Sequence, residues 1–132
     1  MKKLEVVAGI IKYNGKILCT QRDLDKHGYV SFMWEFPGGK IEPNETQVDA
    51  LKRELMEELN MNVNVDKYFC STTYTYPTLE IEMHCYICSA TNSAITLNVH
   101  KSYKWLSLSD LKSLNWAYAD REVVDKLIAY AK

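Results

Sequence analysis

Runs of apolar residues separated by turn signals divide the chain into predicted strands. A β-branched run extends from Leu4 to Tyr13, Asn14-Gly15 follows it, and a second run begins at Lys16. Asn-Gly between two such runs favours a two-residue hairpin turn, so we predict paired strands near residues 3–13 and 16–22. Residues 23–34 show no clear period and are expected to form a loop beside a ligand cleft.

A second hairpin is predicted around Pro77-Thr78. Strand-like runs at 63–76 and 79–90 flank this dipeptide, and Tyr74 and Tyr76 share one face of the first run. Shorter strands are expected at 96–99 and 103–106, with Trp105 packed in the second of them.

One long helix is predicted from Gln47 to about Leu59. Val48, Leu51, Leu55 and Leu59 recur at helical spacing and form one apolar stripe, and Thr46 with Asp49 three residues later resembles a capping box.

Two more helices are expected near the end of the chain. Ser107 with Asp110 opens a short one that ends near Leu114, and Asp120 is predicted to cap the last one. The apolar side of this last helix is formed by Val124, Leu127, Ile128 and Ala131. Strands on both sides of a long helix, with further helices at the end, predict an α/β or α+β layered domain without fixing the strand order.

Composition narrows the class of protein. The 132 residues suffice for one domain, and 16 basic residues against 17 acidic ones give a net charge of −1. With no basic excess, a nucleic-acid polymer is disfavoured as a partner. Glu5 and Lys12 leave only a six-residue apolar run near the start, which argues against a signal peptide, and no stretch approaches membrane length. We therefore expect a cytoplasmic protein without a membrane partner.

The four cysteines give little indication of metal or redox chemistry. Cys85 and Cys88 form a CxxC pair, but residues i and i+3 of a strand point to opposite faces, so a redox or zinc half-site is disfavoured. Cys19 and Cys70 are expected to be buried small hydrophobic residues in a reducing compartment.

Three carboxylates cluster on the predicted long helix. Glu54, Glu57 and Glu58 lie at i, i+3 and i+4, beside the apolar stripe rather than opposite it. Like charges at this spacing repel, and Arg53 offsets only part of the repulsion. A divalent cation such as Mg²⁺ would supply the missing counter-charge, whereas an exposed acidic helix is the alternative.

The spacing of these residues resembles the signature box of the Nudix hydrolases. Gly39, five residues, Glu45, seven residues and then Arg53-Glu54-Leu55, any residue, Glu57-Glu58 match it at every charged position. The box normally has Gly two residues after the last Glu, where this chain has Asn60, but Asn also tolerates the left-handed conformation that ends a helix.

The resemblance extends beyond the box to the whole chain. It implies a single MutT-like Nudix hydrolase domain over residues 1–132, with an α/β/α sandwich around a mixed central β-sheet. The matching stretches outside the box are the first strands, the run from Trp34 to Thr46, the strand with Trp105 and the last helix.

The resemblance also implies a metal centre. The Gly38 carbonyl, Glu54, Glu57 and Glu58 would bind Mg²⁺, with Mn²⁺ as a possible substitute, and Glu54 would orient or deprotonate the attacking water. Arg53 and Glu45 would pair to brace the loop against the helix.

One departure from the family pattern concerns the loop before the Trp105 strand. Many MutT-like proteins carry Glu-His there, and this chain has Val99-His100. Either Glu54 suffices as the base, or His100, Glu80 or Glu82 substitutes for the missing Glu, or the enzyme is slow.

The substrate is expected to be a small nucleotide rather than a polymer, bound by a monomer or homodimer. The predicted substrate-binding residues are Arg22, Trp34, Phe36, Gly39, Lys40 and Asp120. An ionised Asp120 only accepts hydrogen bonds, which favours the amino group of CTP or dCTP; hydrolysis of 8-oxo-dGTP is the alternative. A regulatory Nudix domain that binds nucleotide without turnover is the competing class.

Overall fold

The computed structural model describes residues 1–131, which form a mixed β-sheet between two helical layers. The strands are β1 (Lys2–Tyr13), β2 (Lys16–Gln21), β3 (Trp34–Glu35), β4 (Gly38–Lys40), β5 (Asn64–Tyr76), β6 (Leu79–Ser89) and β7 (Ser102–Leu106). The helices are α1 (Gln47–Leu59) and α2 (Tyr118–Tyr130), with a short 3₁₀ helix at Leu108–Ser113. The α/β/α sandwich with a mixed sheet is thus confirmed.

The sheet is organised around β1. The strand order is β3-β2-β1-β6-β5, and in addition β4 pairs with β1 and β7 pairs with β2. β1 and β6 are parallel, and the other named pairs are antiparallel. Both predicted hairpins form, with Tyr13 opposite Lys16 and Tyr76 opposite Leu79.

Alternation along β1 assigns its side chains to two cores. Val7 and Ile11 face α1 and pack with Leu51 and Leu55, while Ala8 and Ile10 face α2. Because β1 is covered on both faces, its central residues form a nearly continuous apolar run, as the sequence shows.

Helix α1 begins and ends where the pattern predicts. Thr46 Oγ1 accepts a hydrogen bond from Asp49 N at 3.1 Å, and Asn60 adopts a left-handed conformation with φ 53°. The substitution of Asn for the family's Gly therefore keeps the helix end intact.

Two sequence predictions of secondary structure are wrong. Residues 96–99 form no strand, because Thr96 N and Asn98 N donate to the carbonyls of Leu59 and Glu58 at the end of α1. Asp120 does not cap α2, because its carboxyl accepts from Phe36 N; the helix begins at Tyr118 with Ala117 as its N-cap, and Ala117 N donates to Trp34 O at 2.7 Å. The short helix predicted after Ser107 is confirmed and has 3₁₀ geometry, with Ser107 as its N-cap and Leu114 as its C-cap.

Within residues 1–131, neither helix is long and apolar enough to cross a membrane.

Candidate active site

A cleft with a volume of 460 Å³ opens between the sheet and the loop at residues 23–33. Its floor is formed by β1 and β6, and its two ends differ in chemistry. The polar end contains Arg22, Glu35, Glu58 and the strand Gly38–Lys40, and the apolar end contains Phe36, Met83, Ala119 and Asp120. A volume of this size suits a small organic ligand with one charged and one apolar part.

Arg53 joins the loop after β4 to helix α1. Its guanidinium donates two hydrogen bonds to Glu45, from Nε at 2.7 Å and from Nη2 at 2.8 Å, and Nη2 also donates to the Lys40 carbonyl at 3.0 Å. The hydrogen bonds from Arg53 lower the pKa of Glu45 to about 2. This bidentate pair fixes the direction in which β4 meets the helix.

Glu54 lies directly over β4. Its Oε1 accepts a hydrogen bond from Arg53 Nη1 at 2.8 Å, and a Cβ added to Gly39 would lie 2.3 Å from Glu54 Oε2. A Cβ added to Gly38 would lie 1.9 Å from the Val7 carbonyl oxygen. The two glycines therefore serve different neighbours, since Gly38 makes room for β1 and Gly39 makes room for the Glu54 carboxylate.

Glu58 is the carboxylate that borders the cleft from α1. Its Oε1 is buried and has no hydrogen-bond partner among residues 1–131. Burial, together with the charges of Glu35 and Glu54, raises the pKa of Glu58 to about 8. A buried carboxylate without a partner is costly, so this oxygen is poised for a cation or a proton.

Glu35 belongs to the polar end, although the sequence analysis did not select it. Its Oε1 accepts from Arg22 Nη1 at 2.9 Å, and its Oε2 lies 2.9 Å from His100 Nε2. Burial opposes ionisation, yet the contacts with His100 and Arg22 hold the pKa of Glu35 below its usual value. A polar residue between buried Trp34 and Phe36 was the available signal, because alternation puts it on the opposite face.

The possible metal ligands at the polar end suit a hard divalent cation. Glu54 and Glu58 offer oxygen ligands, and the unpartnered Glu58 Oε1 lacks a counter-charge that such an ion would provide. Glu57 is more remote, with a side chain that is 59% exposed and a 3.4 Å contact to Arg53.

A separate trio of possible ligand residues lies outside the box. In the described part of the chain, the atoms of Glu5, Glu82 and His84 lie within 4.8 Å of one another, on the α1 face of β1 and β6. Among the box carboxylates, Glu54 and Glu57 are in contact with Arg53, so a metal bound there would compete with these ion pairs.

Asp120 closes the apolar end of the cleft. The first turn of α2 places its carboxyl against the backbone of Phe36, whose N donates to Asp120 Oδ2 at 2.9 Å. Burial, with the charge of Glu35, raises the pKa of Asp120 well above its ordinary value. Burial therefore favours the protonated form of this carboxyl, whereas the expectation of a cytosine amino contact rested on an ionised Asp120.

An aromatic ladder closes the mouth of the cleft. Tyr29, from the loop at residues 23–33, stacks on Tyr76 with ring centroids 5.2 Å apart, and its hydroxyl lies 2.7 Å from Thr78 Oγ1 in the β5–β6 turn. Tyr74 and Tyr118 continue the ladder, stacked at 5.6 Å. The loop is thus held against the hairpin that forms the far wall.

The structure brings together only part of the predicted set. Arg22, Phe36, Gly38, Gly39, Lys40, Glu58 and Asp120 line the cleft. Trp34 is buried beside it and packs against Lys104, whose Nζ lies 5.4 Å from the ring centroid. Among the candidates for the missing loop Glu, His100 is committed to Glu35 and Glu82 lies near Lys3 at 3.6 Å. Glu80 accepts from Thr75 at 3.5 Å. Val99 is 56% exposed.

A family model and the sequences of known proteins match this chain over nearly its whole length. The NUDIX domain matches residues 3–127. The CTP pyrophosphohydrolase of Escherichia coli is 35% identical over 131 residues, which cover 98% of this chain and 94% of that protein. The 8-oxo-dGTP diphosphatase of Buchnera aphidicola (subsp. Schizaphis graminum) is 33% identical over 127 residues, covering 96% and 95%.

Solved structures agree with these relatives. The solution structure of the Escherichia coli ORF135 protein superposes with a TM-score of 0.82 at 33% identity, covering 99% of this chain and 92% of that one. The MutT protein of methicillin-resistant Staphylococcus aureus 252, described as a Nudix hydrolase, has a TM-score of 0.78 at 40% identity, covering 98% and 99%.

Proposed function

We propose that this chain, which belongs to the Nudix family, cleaves nucleoside triphosphates to the monophosphate and pyrophosphate. The relatives named CTP pyrophosphohydrolase and 8-oxo-dGTP diphosphatase hydrolyse phosphorus-containing anhydrides of this kind. The observation that carries the proposal is the unpartnered, buried Glu58 oxygen at the polar end of a cleft whose other end is apolar. Such a cleft suits a ligand with a phosphate chain at one end and a base at the other.

Mg²⁺ is the proposed metal, with Mn²⁺ as a substitute. Glu58 and Glu54 would hold it, with the Gly38 carbonyl, and Glu57 would join them if its exposed side chain turned inward. When bound, the ion would polarise the phosphoryl oxygens and offset their charge.

Several residues of this chain would prepare the reaction around the metal. Arg53 and Glu45 hold the loop and Glu54 in register, which matters because small displacements of a reacting group are costly. Arg22 and Lys40 line the cleft near Glu58 and are the proposed phosphate contacts. Glu54 remains our candidate for orienting or deprotonating the water.

The base would bind at the apolar end, between Phe36 and Asp120. A neutral Asp120 offers an O–H donor at Oδ1, while Oδ2 accepts from Phe36 N and keeps a second lone pair. Cytosine has a ring-nitrogen acceptor next to an amino donor, which matches this pair of groups. We therefore retain CTP or dCTP as the leading substrate, which the 35% identical CTP pyrophosphohydrolase supports. The 8-oxo-dGTP diphosphatases support the alternative.

Pyrophosphate release tests the proposal directly. The protein is incubated with Mg²⁺, and separately with EDTA, and with CTP, dCTP, 5-methyl-dCTP, the other common nucleoside triphosphates and 8-oxo-dGTP. We expect release that requires Mg²⁺ and favours one base. Tight nucleotide binding without release would instead support the regulatory class, for which the exposed Val99 in place of the loop Glu is the one favourable feature.

Asp120→Asn tests whether the base meets a neutral carboxyl. An amide carbonyl can accept from Phe36 N and its NH₂ can donate, so Asn imitates the protonated acid at every pH. At a pH where Asp120 is protonated, the form that its raised pKa favours, wild type should match the variant in its CTP to 8-oxo-dGTP ratio of kcat/KM. Above that pKa the wild-type ratio should change by about tenfold, ~1.4 kcal/mol for one hydrogen bond, and the variant ratio should stay flat.

The measurement is the CTP to 8-oxo-dGTP ratio of kcat/KM in both proteins between about pH 6 and 10, where the upper limit is the ordinary pKa of tyrosine. A different ratio in the variant at neutral pH would mean that substrate binds the ionised carboxylate. Equal, flat profiles in both proteins would leave Asp120 as a structural partner of Phe36 only.

A further inference from the structure

Two cysteines face each other across the β5–β6 hairpin. Cys70 is the register partner of Cys85. The pairing runs without a shift from Tyr76 and Leu79 at the turn to these two cysteines. The register shifts between Tyr68 and Cys70, so Phe69 is an extra residue in a bulge next to the pair. Directly opposed residues of antiparallel strands have Cα atoms within the range that a disulfide can span.

Both thiols point to the same side of the sheet. Cys85 is fully buried in the core beneath α2, and Cys70 packs against that core while remaining half-buried. Cys88, by contrast, lies in the core beneath α1, so the two cysteines of the CxxC pair point to opposite faces of the sheet. The pair that geometry favours is thus formed across the strands, not along one strand.

The two thiols also have different reactivity. Interaction with the Cys85 thiol lowers the pKa of Cys70, whereas the same interaction and burial raise the pKa of Cys85. Lys126 lies near Cys70 and favours its thiolate. Cys70 is half-buried and Cys85 is buried, so peroxide reaches Cys70 more easily, and the lowered pKa favours its nucleophilic thiolate; Cys70 is therefore the thiol that reacts first and Cys85 is the one that resolves.

We propose that Cys70 and Cys85 are a reversible oxidation site, at which a peroxide converts the two thiols into a cross-strand disulfide. The Cys70 thiolate attacks one oxygen of hydrogen peroxide, which gives the sulfenic acid and, after protonation of the leaving hydroxide, water. The sulfur of Cys85 then attacks the sulfenic sulfur, losing its proton as hydroxide leaves, and a second water forms. The two thiols lose two electrons in total, and one peroxide is reduced to two waters.

The site adjoins the cleft floor without being part of it. Ala8, the parallel register partner of Cys85, and Met83, two residues before Cys85, both line the cleft. A disulfide here would close the chain around the β5–β6 turn and tie together the strands behind the floor. We expect the oxidised protein to unfold at a Tm about 5 °C above that of the reduced protein, because the crosslink restricts the unfolded chain.

The test oxidises the folded, full-length protein with a small excess of hydrogen peroxide and then blocks the remaining thiols. We expect the number of free thiols to fall from four to two, starting from the four cysteines of the chain. Peptide mapping should link the segment with Cys70 to the segment with Cys85, and dithiothreitol should restore all four thiols.

Matched variants separate this pair from the others. Cys70→Ser and Cys85→Ser should abolish the link, while Cys88→Ser, at an equally buried cysteine of the same strand, should leave it unchanged. A link to Cys88 or Cys19, oxidation of Cys70 without any link, or four unreacted thiols in the folded protein would each overturn the proposal. Activity plays no part in this readout, so the outcome is independent of the proposed substrate.

Discussion

Glu58→Gln should lower kcat by about 1,000-fold, equivalent to ~4 kcal/mol of transition-state stabilisation, while the metal-free protein folds normally. The Glu58 oxygen that has no partner is buried beside the cleft, and a pKa raised to about 8 favours the protonated side chain when no metal is bound, so a negative charge is not needed for the fold. The amide has the same shape but no charge to hold a divalent ion. Loss of turnover should therefore occur without loss of Tm in EDTA.

The decisive measurement compares Tm with and without Mg²⁺ in wild type and variant. Mg²⁺ should raise the Tm of wild type, because a ligand that binds only the folded state stabilises it, and the variant should respond much less. Glu122→Gln is the matched control, since Glu122 on α2 is 59% exposed and remote from the cleft. Retention of most activity by Glu58→Gln would remove Glu58 from the metal site, and a large fall in Tm in EDTA would show a structural role instead.

Local patterns predicted the parts of the fold that local physics controls. Helix α1 follows from its apolar period, from Thr46 as a cap and from Asn60 at its end, each of which acts within one or two turns. The hairpin turn at Pro77-Thr78 sets its own register, which also determines that Cys70 meets Cys85. That consequence was available from residue counting alone.

The wrong predictions fall where distant contacts override local preference. Residues 96–99 have strand-like composition, but Asn98 is held by α1 through its backbone N and through Nδ2, which donates to the Glu57 carbonyl at 2.8 Å. The segment thus caps the helix that carries the glutamates instead of joining the sheet. Asp120 resembles an N-cap in sequence, yet its partner is Phe36, 84 residues away along the chain.

The candidate site shows the same division. The box spacing selected Arg53, Glu54 and Glu58 as candidates, because spacing along a helix determines which side chains are neighbours. Spacing could not reveal that Glu35 pairs with Arg22 and His100, since three separate segments meet there. Nor could spacing indicate that the pKa of Asp120 is raised, since burial in the folded protein is the main cause.

The two box glycines should fail in different ways when replaced by Ala. Neither has a positive φ, so the cost comes from space rather than from backbone conformation. In Gly38→Ala the new Cβ would meet the Val7 carbonyl at 1.9 Å, and neither β4 nor β1 can yield without losing their pairing. We expect destabilisation of about 3 kcal/mol or more, and a Tm lower by about 10 °C.

In Gly39→Ala the new Cβ would meet the Glu54 carboxylate at 2.3 Å, which is the far end of a flexible side chain. The side chain can move aside, so Tm should change by no more than about 2 °C, but Glu54 would lose its position over β4 and its bond from Arg53. We expect kcat to fall about 100-fold, the cost of displacing a reacting group by about 1 Å. Thermal unfolding and steady-state kinetics of both variants separate the two effects. Equal losses of Tm would contradict the assignment of separate neighbours, and full activity of Gly39→Ala would show that Glu54 works from another position.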